Sequence, residues 1–288
     1  MNDTASTSAD DFAPWIGRTE QVSGRVSERL VREFHATFAP HLADHDAGVL
    51  PLLAHWCLTP EAVEEAGLTA DGHPQRGGFL PPITLPRRMW AGGEVTFHGD
   101  LRVGDEVTRT STIRSIVRKA GRSGNLWLID VSHGTANAVG PMIQETQTIV
   151  YREAGASTAS PSVPTVAKES AARVEQVGTS TVRLFRYSAM TFNSHRIHYD
   201  FPYAREVESY PGLVVHGPLQ ATLLAHLAAK LAGQRLRTFR YRATSPLIAG
   251  DPAELRAARS AAGIDCCVCD AAGNMTMEAR ATWDRHDE

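Results

Sequence analysis

The run G-L-V-V-H-G-P-L-Q-A-T-L-L-A-H-L-A-A-K-L-A-G, ending at Gly233, constrains the fold more than any other stretch. Pro218 suits the first position of a helix, where its missing N–H is no loss. Gly217 is an acceptable N-cap, and Gly233 stands where a C-terminal glycine is expected. Leu219, Leu223, Leu227 and Leu231 recur every four residues, and Leu224 and Ala228 widen the stripe. Gln220, Thr222, His226 and Lys230 interrupt the apolar surface only weakly. The spacing predicts a helix of about fifteen residues, roughly 22 Å long. With so little polar surface it has to be mostly buried.

The residues before it are of a different kind. R-Y-S-A-M-T-F-N-S-H-R-I-H-Y-D, ending at Asp200, is polar, rich in histidine and without helical period, which predicts a loop. Earlier still, Val26, Leu30, Phe34 and Phe38 keep a helical rhythm, and Thr59-Pro60 opens a short amphipathic helix. Residues 71–92 carry too much Gly and Pro to be one regular element. From Gly93 the period becomes two. Strands are expected at Glu106–Val117, Leu126–Val131 and Ile143–Tyr151, with a basic hairpin connection over 118–125. A Ser-, Ala- and Pro-rich stretch makes residues 153–172 a linker. Beyond it a strand is expected near Thr181–Arg186, and four more at 236–243, 254–260, 264–268 and 275–283.

The two parts are related. L-R-V-G-D at 101–105 and L-I-A-G-D at 247–251 lie 146 residues apart, about half the chain, each between two strands. The division expected is 11–152 and 173–286.

Composition narrows the function. A net charge of -3 gives no basic field for nucleic acid. No apolar run is long enough to span a bilayer, and the first residues lack the basic and apolar regions of a signal peptide. Cys266, Cys267 and Cys269 are too close-set for a spaced zinc motif, and Cys57 stands alone. They suit small core residues in a reducing compartment, so a cytoplasmic protein is expected. His195 and His198 form an H-x-x-H without helical period or third ligand, so no metal is expected.

F-N-S-H-R-I-H-Y-D followed by G-L-V-V-H-G-P-L-Q-A resembles the MaoC-like, or (R)-specific enoyl-CoA hydratase, group of hot-dog proteins. Within that group it is similar to the branch holding mesaconyl-C4-CoA hydratases and mitochondrial 3-hydroxyacyl thioester dehydratases. The resemblance implies an α+β double hot-dog, with two antiparallel sheets each wrapped on a long central helix. The first half, lacking both motifs, would be a degenerate and non-catalytic copy. It also implies hydration or dehydration of an acyl-CoA, with no cofactor beyond the coenzyme A of the substrate. The group's loop reads D-x-N-P-x-H, so Asn193 here takes the place of an aspartate and His198 that of the histidine. A chain of this kind stands alone or pairs again as a homodimer.

Hydrating a double bond conjugated to a thioester needs a base for water, a donor for the developing oxyanion and an acid for the α-carbon. The resemblance assigns His198 as general acid and base, and the Gly217 backbone N–H as oxyanion donor, where a helix N-terminus favours negative charge. Asn193 would orient the water or assist His198. His195, Arg196 and His216 are the candidate substrate-binding residues: Arg196 or His195 could pair with the free carboxylate of a mesaconyl group, or Arg196 could hold the loop through backbone carbonyls. The favoured activity is mesaconyl-C4-CoA to citramalyl-CoA. A 3-hydroxyacyl-CoA or acyl-carrier dehydratase, a thioesterase and a non-catalytic acyl-thioester binding module are the rivals.

Overall fold

The computed structural model describes residues 9–44, 46–121, 124–153 and 163–284. Among these, ten strands and four α-helices are laid down in two passes along the chain. The first pass holds β1 (Thr19–Arg25), α1 (Glu28–Phe38), β2 (Arg87–Phe97), β3 (Glu106–Gly121), β4 (Gly124–Asn137) and β5 (Gly140–Arg152). The second holds β6 (Arg173–Val177), α2 (Thr181–Thr191), α3 (Phe201–Glu206), α4 (Gly217–Ala232), β7 (Thr238–Ala243), β8 (Ala253–Ser260), β9 (Gly263–Cys269) and β10 (Met275–Thr282). Residues 154–162 of the expected linker, and Arg122 of the basic hairpin, lie outside the described residues.

The strands join into one antiparallel sheet in the order β1-β3-β4-β5-β2-β7-β10-β9-β8-β6. That order is the same in both halves when read from the centre outwards. The halves meet where β2 pairs with β7, from Gly92 opposite Arg242 to Thr96 opposite Thr238. The expected two sheets are thus one continuous sheet. Its central seam satisfies by backbone pairing what would otherwise be two exposed edges.

The repeat seen in the sequence is a repeat in space. Leu50 N–H donates to Leu101 O and Val103 N–H to Gly48 O, both at 2.8 Å. Val215 N–H donates to Leu247 O and Ala249 N–H to Leu213 O, again at 2.8 Å. Residues 48–50 therefore stand where 213–215 stand in the second half. Past that point the two halves diverge. After Val215 comes α4, which packs on β8, β9 and β10 and in which every residue from Leu219 to Ala229 is buried. After Leu50 come Pro51 and Leu53, the latter left-handed at φ 64, and then only a 3₁₀ turn at Ala54–Cys57. The long central helix is present in the second half and absent from the described residues of the first.

Two local expectations are corrected. Thr181–Arg186 is the start of α2 and not a strand. Ser180 Oγ caps it by accepting the Arg183 N–H at 3.3 Å, and Leu184 and Tyr187 are buried three residues apart, a helical spacing. The β-branched Thr181 and Val182 were misleading, and the loop begins only at Phe192. After Pro60 there is no amphipathic helix, only a 3₁₀ turn at Glu65–Gly67.

Candidate active site

The second half presents its polar loop to the leading end of α4. His216 is the helix cap and Gly217 the first helical residue, a shift of one from the sequence expectation. The Gly217 N–H is therefore among the first-turn groups without an intrahelical partner. Bare Cα is required there for a reason absent from the sequence: a β-carbon on Gly217 would lie 2.7 Å from Cε3 of Trp90 on β2.

His198 sits in the 3₁₀ turn Arg196–His198 and is buried. Its Nδ1 lies 2.7 Å from the carbonyl oxygen of Val214, which can only accept. That bond puts the proton on Nδ1 and leaves the Nε2 lone pair free. Burial is the main reason its pKa falls, to about 4; the Val214 carbonyl opposes the shift and His73 adds to it. The ring is neutral at pH 7 and able to take a proton.

Histidines continue on both sides of it. The His216 ring stacks on His198 with centroids 3.6 Å apart, and its Nε2 is 2.8 Å from Ser188 Oγ. Its Nδ1 is enclosed without a partner, and burial, then His198 and His195, hold the ring well below the usual histidine range. His195 meets His198 edge-on at 5.5 Å and lies against His73 at 4.0 Å. His73 comes from the first half, in the Gly-rich segment that gave no signal of a site.

That segment is docked firmly. Asp71 Oδ2 is 3.0 Å from His73 Nδ1, and Thr69 Oγ1 donates to Asp71 Oδ1. Ser194 Oγ donates to Gly72 O at 2.6 Å, and Arg196 N–H to Asp71 O at 2.9 Å. Gly72, at φ 89, presses its backbone on Ser194 where any β-carbon would overlap the carbonyl. Sequence reasoning missed Asp71 and His73, because nothing local ties them to residue 198, and read Trp90 only as core or tunnel wall. Asp71, His73 and His195 bring three donor atoms within 4.8 Å of one another.

The remaining expected residues serve the loop. Asn193 Oδ1 accepts the His195 N–H at 3.0 Å, closing a turn of its own chain. Arg196 donates through Nε and Nη2 to Asp200 Oδ2 at 3.0 and 2.7 Å, and through Nη1 to Ala70 O at 3.0 Å. Its guanidinium also covers Tyr203 at 4.1 Å. The loop-holding alternative for Arg196 is the one seen, and it clamps the first half to the second.

The sequence matches the hydroxyacyl-thioester dehydratase type 2 family over residues 53–249. It is 42% identical over 259 residues to a Chloroflexus aurantiacus protein named mesaconyl-C(4)-CoA hydratase, covering 90% of this chain and 92% of that one. It is 25% identical over 261 residues to the mitochondrial hydroxyacyl-thioester dehydratase type 2 of Schizosaccharomyces pombe, covering 79% of this chain and 86% of that one. In structure it is similar to HtdX of Mycobacterium tuberculosis, with a TM-score of 0.68 at 17% identity over 93% of this chain and 100% of that one. A second protein of that organism, described as having a double hot-dog fold, gives a TM-score of 0.57 at 13% identity over 96% of this chain and 97% of that one. No helix among the described residues is long and apolar enough to cross a membrane. With its sheet order, its buried central helix and these matches, the chain belongs to the hydroxyacyl-thioester dehydratase type 2 family and is a hydro-lyase of double hot-dog architecture.

Proposed function

We propose that this hydro-lyase adds water reversibly to a short, carboxylated α,β-unsaturated acyl-CoA, converting mesaconyl-C4-CoA to citramalyl-CoA. The observation that carries the reading is His198: neutral, fixed as the Nδ1–H tautomer by Val214 O, and stacked on the cap residue of α4. The 42% identity to a protein named for this hydration supports the choice of acyl group.

Each step rests on that placement. The thioester oxygen takes the Gly217 N–H at the leading end of α4, where the helix dipole favours developing charge. Water attacks the β-carbon as its proton passes to His198 Nε2. The π electrons move toward the thioester and form an enolate. The imidazolium then returns a proton to the α-carbon, and the ring is neutral again. A ring with its pKa near 4 gives that proton up readily. Asn193 acts through His195, by fixing the turn on which both histidines sit. His195, with Asp71 and His73 behind it, supplies the polar wall opposite His216. The four cysteines, free and buried, suit a cytoplasmic setting.

The test is the loss of enoyl-thioester absorbance with purified protein, using mesaconyl-C4-CoA and crotonyl-CoA. His198→Ala should lower kcat by about 10²–10⁴ on the preferred substrate. Near-full activity in that variant would remove the assignment.

A further inference from the structure

With Arg196 bonded to Asp200 and Ala70, the distal carboxylate of the proposed substrate needs another partner. Strand β2 supplies one. Side chains two apart on a strand share a face, about 7 Å from one another. Arg88 therefore points the same way as Trp90, whose ring lies against Gly217. The face of β2 that meets the leading end of α4 thus carries a guanidinium one pleat further along.

Arg88 also lines a cavity of about 170 Å³ beneath the first half's Gly- and Pro-rich segment, together with Pro74, Arg76, Arg109, His133 and Tyr151. The other two arginines are engaged. Arg76 donates to Ile83 O at 2.6 Å and Pro86 O at 3.2 Å. Arg109 faces Glu20 at 3.9 Å. Among the described residues, Arg88 has neither a hydrogen bond nor an ion pair through its guanidinium, although it is only partly exposed. Its charge reaches the rings of both His73 and His195, where it opposes their protonation. Two cavity-lining nitrogens, Arg109 Nε and His133 Nε2, are enclosed without a hydrogen-bond partner, although Arg109 Nη2 keeps its ion pair with Glu20.

We infer that Arg88 binds the free carboxylate of the acyl group and selects carboxylated over neutral enoyl-CoA substrates. This rests on the hydratase reading above. The carboxyl carbons of a four-carbon trans unsaturated diacid are about 4 Å apart, across two single bonds of about 1.5 Å and a shorter double bond between them. That length is shorter than the about 7 Å between the Trp90 and Arg88 positions on β2, so the long Arg88 side chain has to reach back toward Gly217 to meet the distal carboxylate. Burial from water makes such a charge-assisted, bidentate pair strong.

The experiment compares kcat/KM for mesaconyl-C4-CoA and crotonyl-CoA in the wild type, Arg88→Gln and Arg88→Lys, with a thermal melt of each. Arg88→Gln should lose about 10²–10³-fold on the carboxylated substrate, mostly in KM, and stay within about threefold on crotonyl-CoA. Arg88→Lys, which keeps the charge but not the fork, should fall between. Should Arg88→Gln not fold, the lysine variant alone decides by its ratio. Equal loss on both substrates, or an unchanged ratio, overturns the role of Arg88 and leaves the hydratase reading standing. A wild type that hydrates crotonyl-CoA and not mesaconyl-C4-CoA overturns both.

Discussion

Replacing Gly217 by alanine sets two known effects against each other. Glycine to alanine within a helix ordinarily gains up to ~1 kcal/mol. The backbone of Gly217 is not left-handed, so no conformational penalty opposes the change. Sterics do. The new carbon would lie 2.7 Å from Trp90 Cε3, whereas ordinary contact begins at 3.4 Å, so the ring would have to retreat by about 0.7 Å. It has little room. Tyr241 stacks on it at 4.4 Å and Trp56 meets it edge-on at 5.5 Å. Trp56 is itself held by Glu145, to which its Nε1 donates at 2.9 Å. Overpacking of this kind costs about 1–3 kcal/mol, so the net effect should be destabilising despite the gain in helix propensity. The assay is urea unfolding of the wild type, Gly217→Ala, Trp90→Leu and the double variant. In the Trp90→Leu background the alanine should be neutral or stabilising, giving a coupling of at least ~1 kcal/mol. Additive effects, or an alanine variant as stable as the wild type, would refute the packing argument.

Two further predictions join the His198→Ala and Arg88 experiments. The His198 pKa is depressed to about 4 from 6.5, so between those values the unfolded chain takes up a proton that the folded one refuses. The stability this ring contributes above pH 6.5 is lost as pH falls toward 4, by about 3 kcal/mol in all; urea midpoints at pH 7.5, 6 and 5 should fall less steeply in His198→Asn, and parallel slopes would contradict this. Arg196→Ala should lower the melting temperature and kcat on both substrates together, because the side chain clamps the loop; a selective loss on the carboxylated substrate would return Arg196 to the binding role.

The buried helix was legible in the sequence because its apolar residues are contiguous and its two ends are marked by Pro218 and Gly233. The repeat was legible through five residues at each of two turns, and the structure gives both the same pair of backbone hydrogen bonds. His198 and Gly217 could be singled out because they sit in one local motif. Asp71, His73 and Arg88 could not, and Trp90 read only as core or tunnel wall, since the 71–73 segment meets the motif through hydrogen bonds between distant loops and β2 meets it only after pairing with β7. The first helix of the second half was misread because Thr181 and Val182 favour strands locally, while the burial of Leu184 and Tyr187 decides otherwise.

The unbroken pairing of β2 with β7 has an evolutionary corollary. His198 and the Gly217 N–H lie on one copy of the repeat, while Arg88 and Trp90 lie on the other. On the reading proposed above, changes in the copy without a central helix would retune which acyl group is accepted without disturbing proton transfer. Neither copy, expressed by itself, would hold a whole reaction chamber.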